Sequence, residues 1–505
     1  MTEMATSSGA PKTNTATWKT IDWKQAEIEV RRLQMRIAKA FREGGHGKVK
    51  ALQWLLTHSF YAKALAVRRV TSNQGGKTPG VDTVVWKTPK QKLQAALSLK
   101  RQGYKTQPLK RIYIPKKQAG KLRPLSIPVM HCRAQQALYT LALEPIAEMM
   151  ADKNSYGFRP KRSTADALGQ CFIALSRGHS PQYILEGDIK SCFDKISHSW
   201  LLENVPTDKR MLEKWLKAGY LYQGELHSTE VGTPQGGVIS PTLLNVTLSG
   251  LENTIKANFK KQDKINVIVY ADDFIITGAT KEVLENKVKP IVERFLNERG
   301  LELLQEKTKI THINEGFDFL GVNTRKYRNG KLIQKPTKEG IKRFLKTLKE
   351  TIHKNQAVST EILIHLLNPK LTGWANYYRH YCSKKTFGTV SHRLFSLLWA
   401  WAKKRHNRKG KLWIVKKYFR TKGNNNWQFS TKVSNKKGKA EWLDLVEISH
   451  TPIRRHVKIK GDATPFDPAY DEYFCIRQAR RKAKRLFFPC KSQWSPWWEL
   501  KFSSC

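Results

Sequence analysis

The sequence predicts an α+β protein in which helical segments flank a mixed region of short strands and helices. Between residues 18 and 70, apolar residues recur at helical spacing, with Ile28, Leu33, Ile37 and Phe41 near one face. From about residue 81 to residue 322, short β-like runs alternate with helical patterns. Beyond about residue 335 the spacing is helical again, so the mixed region forms the middle of the chain.

The mixed region contains a strand and a helix that bear on function. The segment PQYILEGD is apolar and β-like, and we predict a strand that ends at Asp188. The segment SPTLLNVTLSGLENTI predicts a helix with Ser240 as its N-cap and Pro241 at its first position. The strand therefore delivers a carboxylate to one edge of a sheet.

A second part of the mixed region has the pattern of a hairpin. The segments INVIVY and FIITG predict two apolar strands that flank Ala271, Asp272 and Asp273. We predict that a helix over residues 281–299 follows, with Gly300 as its stop, although a proline lies inside it. The turn thus places two adjacent charges beside a core that is otherwise apolar.

The last part of the chain combines helices with blocks of positive charge. One predicted helix carries an apolar stripe, a second spans residues 360–367, and two basic blocks follow at 401–420 and 477–485. The stripe consists of Ile341, Phe344, Leu345, Leu348 and Ile352. Basic blocks are usually solvated, but aromatic residues accompany both, and this mixture favours nucleic acid. The candidate contacts are Lys403, Lys404, Arg405, Arg480, Arg481 and Lys482.

Composition limits the class of partner. The 91 Lys and Arg residues exceed the 41 Asp and Glu residues, which gives a net charge of +50 over 505 residues. A surface this basic repels itself unless it meets a polyanion, and nucleic acid is the polyanion we expect. No apolar run approaches the roughly 18 residues of a membrane span. Ribosomal proteins, the other basic class, are usually shorter and lack acidic clusters on a hairpin.

The cysteines and the first residues indicate a reducing compartment. Seven cysteines are scattered along the chain without a CxxC pair, so neither a disulfide framework nor a zinc ribbon is predicted. Residues 1–17 are polar and contain no apolar signal segment, which predicts a disordered tail on an intracellular protein.

The acidic residues on the predicted strands suggest a metal site. A tight turn would push Asp272 and Asp273 out of the core, and an adjacent strand that ends at Asp188 would bring a third carboxylate to the same edge. Clustered carboxylates repel one another unless a cation is present, and oxygen ligands of this kind suit Mg²⁺. The alternative is an ordinary acidic turn, since Asp is common in turns. The apolar flanks and the separate strand favour the metal site.

Several segments resemble the conserved blocks of reverse transcriptases, in the order found in that family. YADD resembles the catalytic hairpin, EGDIKSCFDKI the first catalytic block, and GTPQGGVISPTLLN the block that lines the nucleotide site. RIYIPKKQAGKLRPLSIP resembles the fingers segment, NSYGFRPKRSTADAL the next block, and GLELLQEKTKI and FDFLGV the last palm blocks. The likeness covers roughly residues 105–325.

Flanking segments narrow the resemblance to group II intron-encoded proteins. LTGWANYYRHY resembles their maturase, or X, domain, and PGVD and RRHVKIKGDATPFDP also resemble that family. Many of these proteins carry an HNH-type endonuclease domain with CxxC pairs. In this sequence Cys475, Cys490 and Cys505 are too far apart to form such pairs, which puts DNA cleavage by this chain in doubt.

The resemblance implies catalytic and metal-binding residues. Asp188 and Asp272 match the aspartates that bind metal, and Asp273 matches the second acid of the hairpin, which supports the site. Ile189 would contribute its backbone carbonyl. The implied cofactor is a pair of Mg²⁺ ions, which stabilise the attacking and leaving oxygens of a phosphoryl displacement.

The resemblance also implies contacts to an incoming deoxynucleoside triphosphate. Phe193 matches the aromatic residue that blocks a ribose 2′-OH, although core packing is an alternative role. Gln235 matches the residue that lies against the nucleotide, and Gly236 permits close backbone approach. Lys116 and Arg123 match the cations that bind the triphosphate, and a guanidinium can grip phosphate bidentately. Lys307 resembles a lysine that donates a proton to pyrophosphate, but a solvated lysine is the alternative.

Other matched residues have less specific roles. Arg159 and Arg162 are expected to contact the template strand, with unpaired surface cations as the alternative. Trp374, Tyr377 and Tyr378 have helical spacing, and we expect them to pack between helices rather than stack on bases.

The resemblance implies a domain order for the whole chain. After the tail at residues 1–17, we expect an RNA-binding helical extension at 18–85 and the fingers and ferredoxin-like palm of a right-hand polymerase at 86–330. A helical thumb, the maturase X domain, is expected at 331–440, followed by a small basic DNA-binding module at 441–505.

The expected function is an RNA-directed DNA polymerase that binds its own intron RNA as a maturase and inserts the intron by target-primed reverse transcription. Its expected partners are intron RNA, target DNA and deoxynucleoside triphosphates, with no membrane. One alternative is a splicing cofactor without polymerase activity. Another is a reverse transcriptase of a retron-like, defence or diversity-generating system. The expected location is the bacterial cytoplasm, at the nucleoid when the protein acts on DNA, with an organelle left open.

Overall fold

The computed structural model describes residues 17–115, 122–434 and 438–483, with side chains described as far as residue 480. The chain forms two compact units. Unit one contains Met1–Ser163, Leu185–Ile310 and Ile459–Cys505, and unit two contains Thr164–Ile184 and Thr311–Lys458. The tail predicted to be disordered, at 1–17, lies outside the described residues except for its last residue.

The helices and strands follow one another without a repeating order. The first are α1 (Trp23–Arg42), α2 (His46–His58), α3 (Phe60–Thr71), α4 (Pro89–Ser98), β1 (Leu109–Pro115), β2 (Leu122–Ile127), α5 (Met130–Met150), α6 (Thr164–Leu175) and β3 (Tyr183–Asp188). Next come α7 (Cys192–Lys195), α8 (His198–Asn204), α9 (Lys209–Leu216), β4 (Tyr220–Tyr222), β5 (Glu225–His227), α10 (Ser240–Leu248), α11 (Leu251–Lys256), β6 (Asn266–Tyr270), β7 (Asp273–Gly278), α12 (Lys281–Val283) and α13 (Lys289–Asn297). The last are β8 (Lys309–His312), β9 (Phe317–Phe319), β10 (Val322–Lys326), β11 (Leu332–Pro336), α14 (Lys338–Lys354), α15 (Thr360–Tyr378), α16 (Lys384–Arg405), α17 (Lys411–Tyr418), β12 (Phe419–Lys422), β13 (Asn425–Ser434), β14 (Ala440–Asp444) and α18 (Asp471–Ala483).

The amino-terminal helices of unit one pack around α5, which is buried along nearly its whole length. The prediction of helices up to about residue 70 is confirmed by α1, α2 and α3. The predicted apolar face of α1 is wrong at Ile28, which is 54% exposed. Ile37 of the predicted face is buried, together with Val30 and with Ala26, Ala38 and Ala40, whose small side chains allow α1 to approach its neighbours closely.

The central sheet of unit one has the strand order β6-β7-β3-β8, with β6 and β7 paired as an antiparallel hairpin. Its interior is apolar, since Val267, Ile268, Ile275 and Ile276 are fully buried. The predicted strand that ends at Asp188 is confirmed by β3, which lies beside β7. The sheet order therefore brings the end of β3 next to the β6–β7 hairpin.

The helix predicted from Ser240 onwards differs in two ways from the structure. It divides into α10 and α11, because Gly250 takes a left-handed backbone conformation with φ of 90°. Its N-cap is Ile239, whose side chain cannot cap, and Ser240 is the first helical residue. The Ser240 hydroxyl donates to the Pro234 carbonyl at 3.0 Å, so it fastens the preceding loop rather than the helix end.

The helix predicted at residues 281–299 is confirmed as a nearly continuous segment that ends at Asn297. A π-helical turn at Leu284–Val288 joins α12 to α13 just before Pro290. A proline lacks the N–H of a regular helical bond, and a wider turn relieves that loss. Gly300 has a left-handed φ of 73°, as its predicted role as a stop requires.

Unit two contains a sheet of order β11-β10-β9, the helices α14 to α17 and a sheet of order β12-β13-β14. The helix predicted at residues 360–367 continues to Tyr378 as α15. A purely helical region to residue 440 is not found, because the helices end at Tyr418 and three strands follow. The expected boundary at 440/441 is also wrong, since β14 pairs with β13 across it.

Among the described residues we find no helix with the length and apolar character needed to cross a bilayer.

Candidate active site

The site centres on the turn between β6 and β7. Tyr270 pairs with Asp273, so Ala271 and Asp272 form a two-residue hairpin loop. Ala271 has φ of 56°, a left-handed conformation that costs a residue with a Cβ of order 1 kcal/mol. Such strain persists only where neighbouring structure holds the backbone in place.

The segment around Gly157 is that neighbouring structure. Tyr156 N–H donates to the Val269 carbonyl at 2.9 Å, and Val269 N–H donates to the Asn154 carbonyl at 3.0 Å. A Cβ on Gly157 would lie 2.2 Å from the Ala271 nitrogen, which is backbone and cannot rotate away. The glycine therefore lets this segment lie directly against the turn that carries Asp272.

We predict that Gly157→Ala lowers primer extension by about 100-fold, because displacing the turn by about 1 Å misplaces Asp272. Gly47→Ala is the matched control, since a Cβ there would meet nothing within 4 Å. Both variants are measured in single-nucleotide addition at a temperature where circular dichroism shows each to be folded. Equal activity of the two variants would show that the turn tolerates the displacement.

The carboxylates of Asp188, Asp272 and Asp273 influence one another electrostatically. Loss of hydration, followed by the charge of Asp188, raises the pKa of Asp272. Loss of hydration and the charges of Asp272 and Asp188 raise the pKa of Asp273 to about 7, although much of that side chain still reaches solvent. Without a cation, the three negative charges are therefore held together at a cost.

Lys307 supplies part of the missing positive charge. Its ammonium donates to Asp188 Oδ2 at 2.5 Å, and this hydrogen bond raises the pKa of the lysine. Lys307 lies in a short 3₁₀ turn at Gln305–Lys307 rather than on a strand, and Leu304 N–H donates to the Asp188 carbonyl at 2.9 Å. The alternative of a lysine that contacts only solvent is therefore excluded.

The oxygen atoms present fit Mg²⁺, although they do not form a closed metal cage. No group of three or more His, Cys, Asp or Glu side chains in the described part of the chain is arranged to hold a metal. Mg²⁺ usually takes one or two carboxylates and completes its coordination with water and substrate phosphates. Asp188 and Asp272 supply two carboxylates. The bridge between Ile189 and Leu303 uses neighbouring peptide groups, so the Ile189 carbonyl faces away from Leu303.

The loop that carries Gln235 lies against both β2 and α7, the short helix that follows β3. Ser126 N–H donates to the Gln235 carbonyl at 2.8 Å, and Thr233 N–H donates to the Phe193 carbonyl at 2.6 Å. Gly236 has φ of 116°, and a Cβ there would lie 2.7 Å from the Ser126 carbonyl oxygen. Only glycine permits this approach of the loop to β2, whereas the expected approach of the Gly236 backbone to a nucleotide stays a prediction.

Asp194 orients the side chain of Gln235. Gln235 Nε2 donates to Asp194 Oδ2 at 3.0 Å, and Asp194 belongs to the short helix that follows Asp188. The half-buried ring of Phe193 meets Phe158 edge to face at 6.3 Å. The first catalytic segment and the Gln235 loop are therefore joined by side chains as well as by backbone.

We predict that Asp194→Ala raises the KM for deoxynucleotide by about tenfold with a smaller change in kcat, because Gln235 loses a charge-assisted hydrogen bond. Asp194→Asn keeps an oxygen acceptor and should restore most of the loss. Steady-state single-nucleotide addition separates the two constants. A fall in kcat alone, or no rescue by Asn, would contradict the orienting role.

Arg123, one of the two predicted fingers cations, is exposed on β2. Its positive charge lowers the pKa of Asp272, although loss of hydration raises that pKa by more. Lys116 lies outside the described residues. One positive charge is therefore available on the fingers side of the carboxylates.

The expectation that Arg159 and Arg162 contact the template strand is wrong for this structure. Arg159 is 3% exposed and forms a bidentate pair with Glu148, with distances of 2.7 and 3.0 Å. Arg162 donates to the same carboxylate at 3.3 Å and to the Gly461 carbonyl at 2.9 Å. Both guanidinium groups hold the chain together, because each is buried against acceptors of its own unit.

The expectation that the aromatic residues of α15 pack between elements is confirmed. Trp374 stacks on Phe344 at 4.6 Å, with the rings almost parallel. The hydroxyls of Tyr377 and Tyr378 donate to the carbonyls of Leu320 and Gly321, respectively. These rings therefore fasten α15 to α14 and to the turn before β10.

The basic residues predicted to contact nucleic acid differ in exposure and in the contacts they make. Lys403 and Lys404 are exposed at the end of α16, whereas Arg405 donates to the Val358 carbonyl and lies 5.2 Å from the Trp401 ring. Arg480 is exposed on α18. Arg481 and Lys482 belong to the same helix, but their side chains lie outside the described part of the structure.

Sequence reasoning missed two residues that shape the site. Gly157 lies inside the segment NSYGF, and Asp194 lies six residues after Asp188 in a segment chosen for its first aspartate. The glycine is the only available signal, since it is the residue that permits the closest backbone approach. Nothing in the sequence alone indicates that Asp194 meets Gln235, since 41 residues separate them.

Comparison with known proteins gives three matching family models. Residues 114–324 match reverse transcriptase (RNA-dependent DNA polymerase), residues 18–99 match the N-terminal domain of reverse transcriptase, and residues 341–419 match the group II intron maturase-specific domain. Together they follow the order predicted from the quoted segments.

Two curated proteins and one solved structure illustrate the relationship. Protein YkfC of Escherichia coli is 33% identical over 60% of this chain and 88% of its own length. The group II intron-encoded protein LtrA of Lactococcus lactis is 29% identical over 62% of this chain and 68% of its own length. A telomerase from Candida albicans bound to a fragment of telomeric RNA aligns with a TM-score of 0.36 and 13% identity, over 62% of this chain and 64% of that chain.

Proposed function

The chain belongs to the group II intron-encoded reverse transcriptase and maturase family, and we propose that Asp188, Asp272 and Asp273 form the centre of its polymerase site. The family establishes RNA-directed DNA polymerisation together with a maturase function on intron RNA. The observation that supports this choice of residues is that Asp188 ends β3 beside the hairpin that carries Asp272.

Asp188 and Asp272 would bind two Mg²⁺ ions, with the Ile189 carbonyl as a further ligand and Asp273 as a supporting acid. When bound, these ions supply charge stabilisation at the attacking and leaving oxygens of nucleotide transfer. The pKa values of Asp272 and Asp273 are raised by loss of hydration and by neighbouring negative charge. A dication at this position would offset that repulsion, which supports the proposal.

The remaining residues would bind and orient the nucleotide. Arg123 grips the triphosphate, with Lys116 as a second proposed contact. Gln235, held by Asp194, and the backbone at Gly236 position the nucleotide, while the Phe193 ring excludes a ribose 2′-OH. Lys307, whose ammonium donates to Asp188 in the structure, would donate a proton to the leaving pyrophosphate.

Intron RNA binding involves the basic part of unit two. Between residues 362 and 440 the sequence contains no Asp or Glu. The exposed Lys403 and Lys404 lie in this stretch, and phosphate contacts of this kind dominate affinity and weaken with salt. Target DNA is a further proposed partner, with α18 and its Arg480, Arg481 and Lys482 as the contact.

The domain roles follow from the matched segments. We assign the amino-terminal helices to RNA binding, the segment up to β9 to fingers and palm, and the helices from α14 to the thumb. The DNA-binding role of the carboxyl-terminal segment is assigned to residues after the β12–β14 sheet, because that sheet is one structural element.

The direct experiment is primer extension on an RNA template with Mg²⁺ and each type of nucleotide. We expect cDNA from deoxynucleotides, and no extension when chelator removes the metal. Folded protein that binds RNA but yields no cDNA would support a splicing cofactor without polymerase activity instead.

A further inference from the structure

The β12–β14 sheet presents an aromatic side chain to solvent among cations. Trp442 on β14 is 47% exposed, although a tryptophan usually buries most of its large apolar surface. Lys432 lies directly opposite on β13, with its ammonium 5.3 Å from the ring centroid. The guanidinium of Arg420 on β12 lies 4.8 Å from the same ring. One exposed ring therefore has a cation from each of the two other strands beside it.

The guanidinium of Arg420 is held in place by an acidic residue. Asp444, two residues after Trp442, accepts hydrogen bonds from Arg420 Nη2 at 2.8 Å and from Lys422 Nζ at 2.7 Å. Arg420 also contacts the other carboxylate oxygen through Nε at 3.1 Å, which fixes the plane of the guanidinium. The guanidinium beside the Trp442 ring is therefore oriented by Asp444 before any ligand binds.

The sheet is tied to the segment that matches the maturase-specific domain. Asn368 on α15 donates to the Asp444 carbonyl at 3.0 Å and accepts from Val446 N–H at 2.8 Å. It thus grips the chain on both sides of Leu445, immediately after β14. The end of β14 is therefore joined to α15 by side-chain hydrogen bonds.

We propose that Trp442 stacks on an unpaired base of RNA, with Lys432, Lys422 and Arg420 placed to meet the adjoining phosphates. Aromatic rings bind single-stranded bases of any sequence, and cations beside the ring neutralise the backbone. The nearby acid Asp444 is already paired with two cations, so the surface remains positive. We choose RNA because Asn368 joins the sheet to the maturase-matched region. This inference rests on the proposed RNA-binding function and adds a site to it.

A packing role for Trp442 makes a different prediction. If the ring only shields the sheet, its removal lowers stability and leaves affinity unchanged. Trp427 provides the comparison, because it is 50% exposed on the same sheet but packs 5.6 Å from Phe395 and 5.9 Å from Phe419. The two tryptophans are therefore similar in exposure and different in surroundings.

The experiment measures binding of a short fluorescein-labelled single-stranded RNA to the full chain by anisotropy, across a series of KCl concentrations. We expect Trp442→Leu to weaken binding about tenfold and Trp442→Phe to stay near wild type, because a phenyl ring still stacks. The dependence of affinity on salt should be unchanged in both, since neither variant removes a charge. Lys432→Gln should lower the salt slope by about one.

The control Trp427→Leu should lower the melting temperature and leave RNA affinity unchanged. The proposal is overturned if Trp442→Leu binds RNA within about twofold of wild type, or if Phe is as weak as Leu. A loss confined to DNA of the same sequence would also overturn it, whereas a loss shared by RNA and DNA agrees with stacking, which does not depend on the sugar. Wild-type protein that fails to bind RNA at all would instead refute the proposed RNA-binding function.

Discussion

Asp272→Asn is expected to reduce primer extension by at least about 10³-fold while leaving RNA binding intact. Asn has almost the same shape as Asp, so the hairpin turn should persist. The loss is expected because a neutral amide removes one of the two carboxylates that we propose as ligands of the Mg²⁺ ions. RNA affinity should not fall, because removing a negative charge cannot weaken the attraction of the protein to phosphate.

The measurement is single-nucleotide addition over a range of Mg²⁺ concentrations, paired with RNA binding of the same preparations. Asp462→Asn is the matched control, since it makes the same charge change at an exposed residue that pairs with Lys153. If Asp462→Asn keeps wild-type activity while Asp272→Asn loses it, the loss is due to the change at the hairpin turn. If Asp272→Asn retained more than about a tenth of the activity, a metal ligand role for Asp272 would be untenable.

The strands of the site could be predicted because their sequence pattern is local. INVIVY and FIITG are apolar runs bounded by charge and glycine, and β6 and β7 match them closely. The end of β3 at Asp188 was accessible for the same reason. The sequence pattern does not give the order of the strands in the sheet. The structure shows that β7 lies next to β3, and this places the carboxylates at one edge.

Two of the errors in the sequence-based predictions arise from contacts between distant segments, and a third arises from the local backbone of a glycine. Arg159 and Arg162 looked like surface cations because arginines usually are, but Glu148 and the carbonyls of residues 461 and 463 provide them with buried acceptors. The helix from Ser240 was divided by the backbone freedom of Gly250. The boundary at 440/441 followed composition, whereas the hydrogen bonds of β14 cross it.

Glu148→Ala is expected to lower the free energy of unfolding by about 3–5 kcal/mol, because it leaves two buried guanidinium groups without their shared carboxylate. The side chain of Glu148 is 2% exposed and those of Arg159 and Arg162 are 3% and 1% exposed. Coulomb attraction and hydrogen bonds offset the cost of removing these charges from water. Deleting one partner removes that compensation and keeps the cost.

The same change should also affect catalysis, because Arg159 organises the segment that supports the turn. Its Nη1 donates to the carbonyls of Asp152 at 2.7 Å and Ser155 at 2.8 Å, and two residues further lies Gly157, which contacts Ala271. A guanidinium released from Glu148 would no longer hold these carbonyls in place. Activity should therefore fall at temperatures where the variant is still folded.

Urea unfolding followed by circular dichroism, with primer extension below the transition, measures both effects. The control is Glu213→Ala. Glu213 lies on α9 and forms an exposed ion pair with Lys217, the C-cap residue four positions later. Loss of this pair should cause no measurable change in the urea midpoint. If Glu148→Ala unfolded at the same urea concentration as wild type, water would have to reach both guanidinium groups, and the buried cluster would not stabilise the fold. If Glu148→Ala were destabilised yet fully active below the unfolding transition, Arg159 would not be needed to hold the turn that carries Asp272. The backbone hydrogen bonds of Tyr156 and Val269 would then hold it alone.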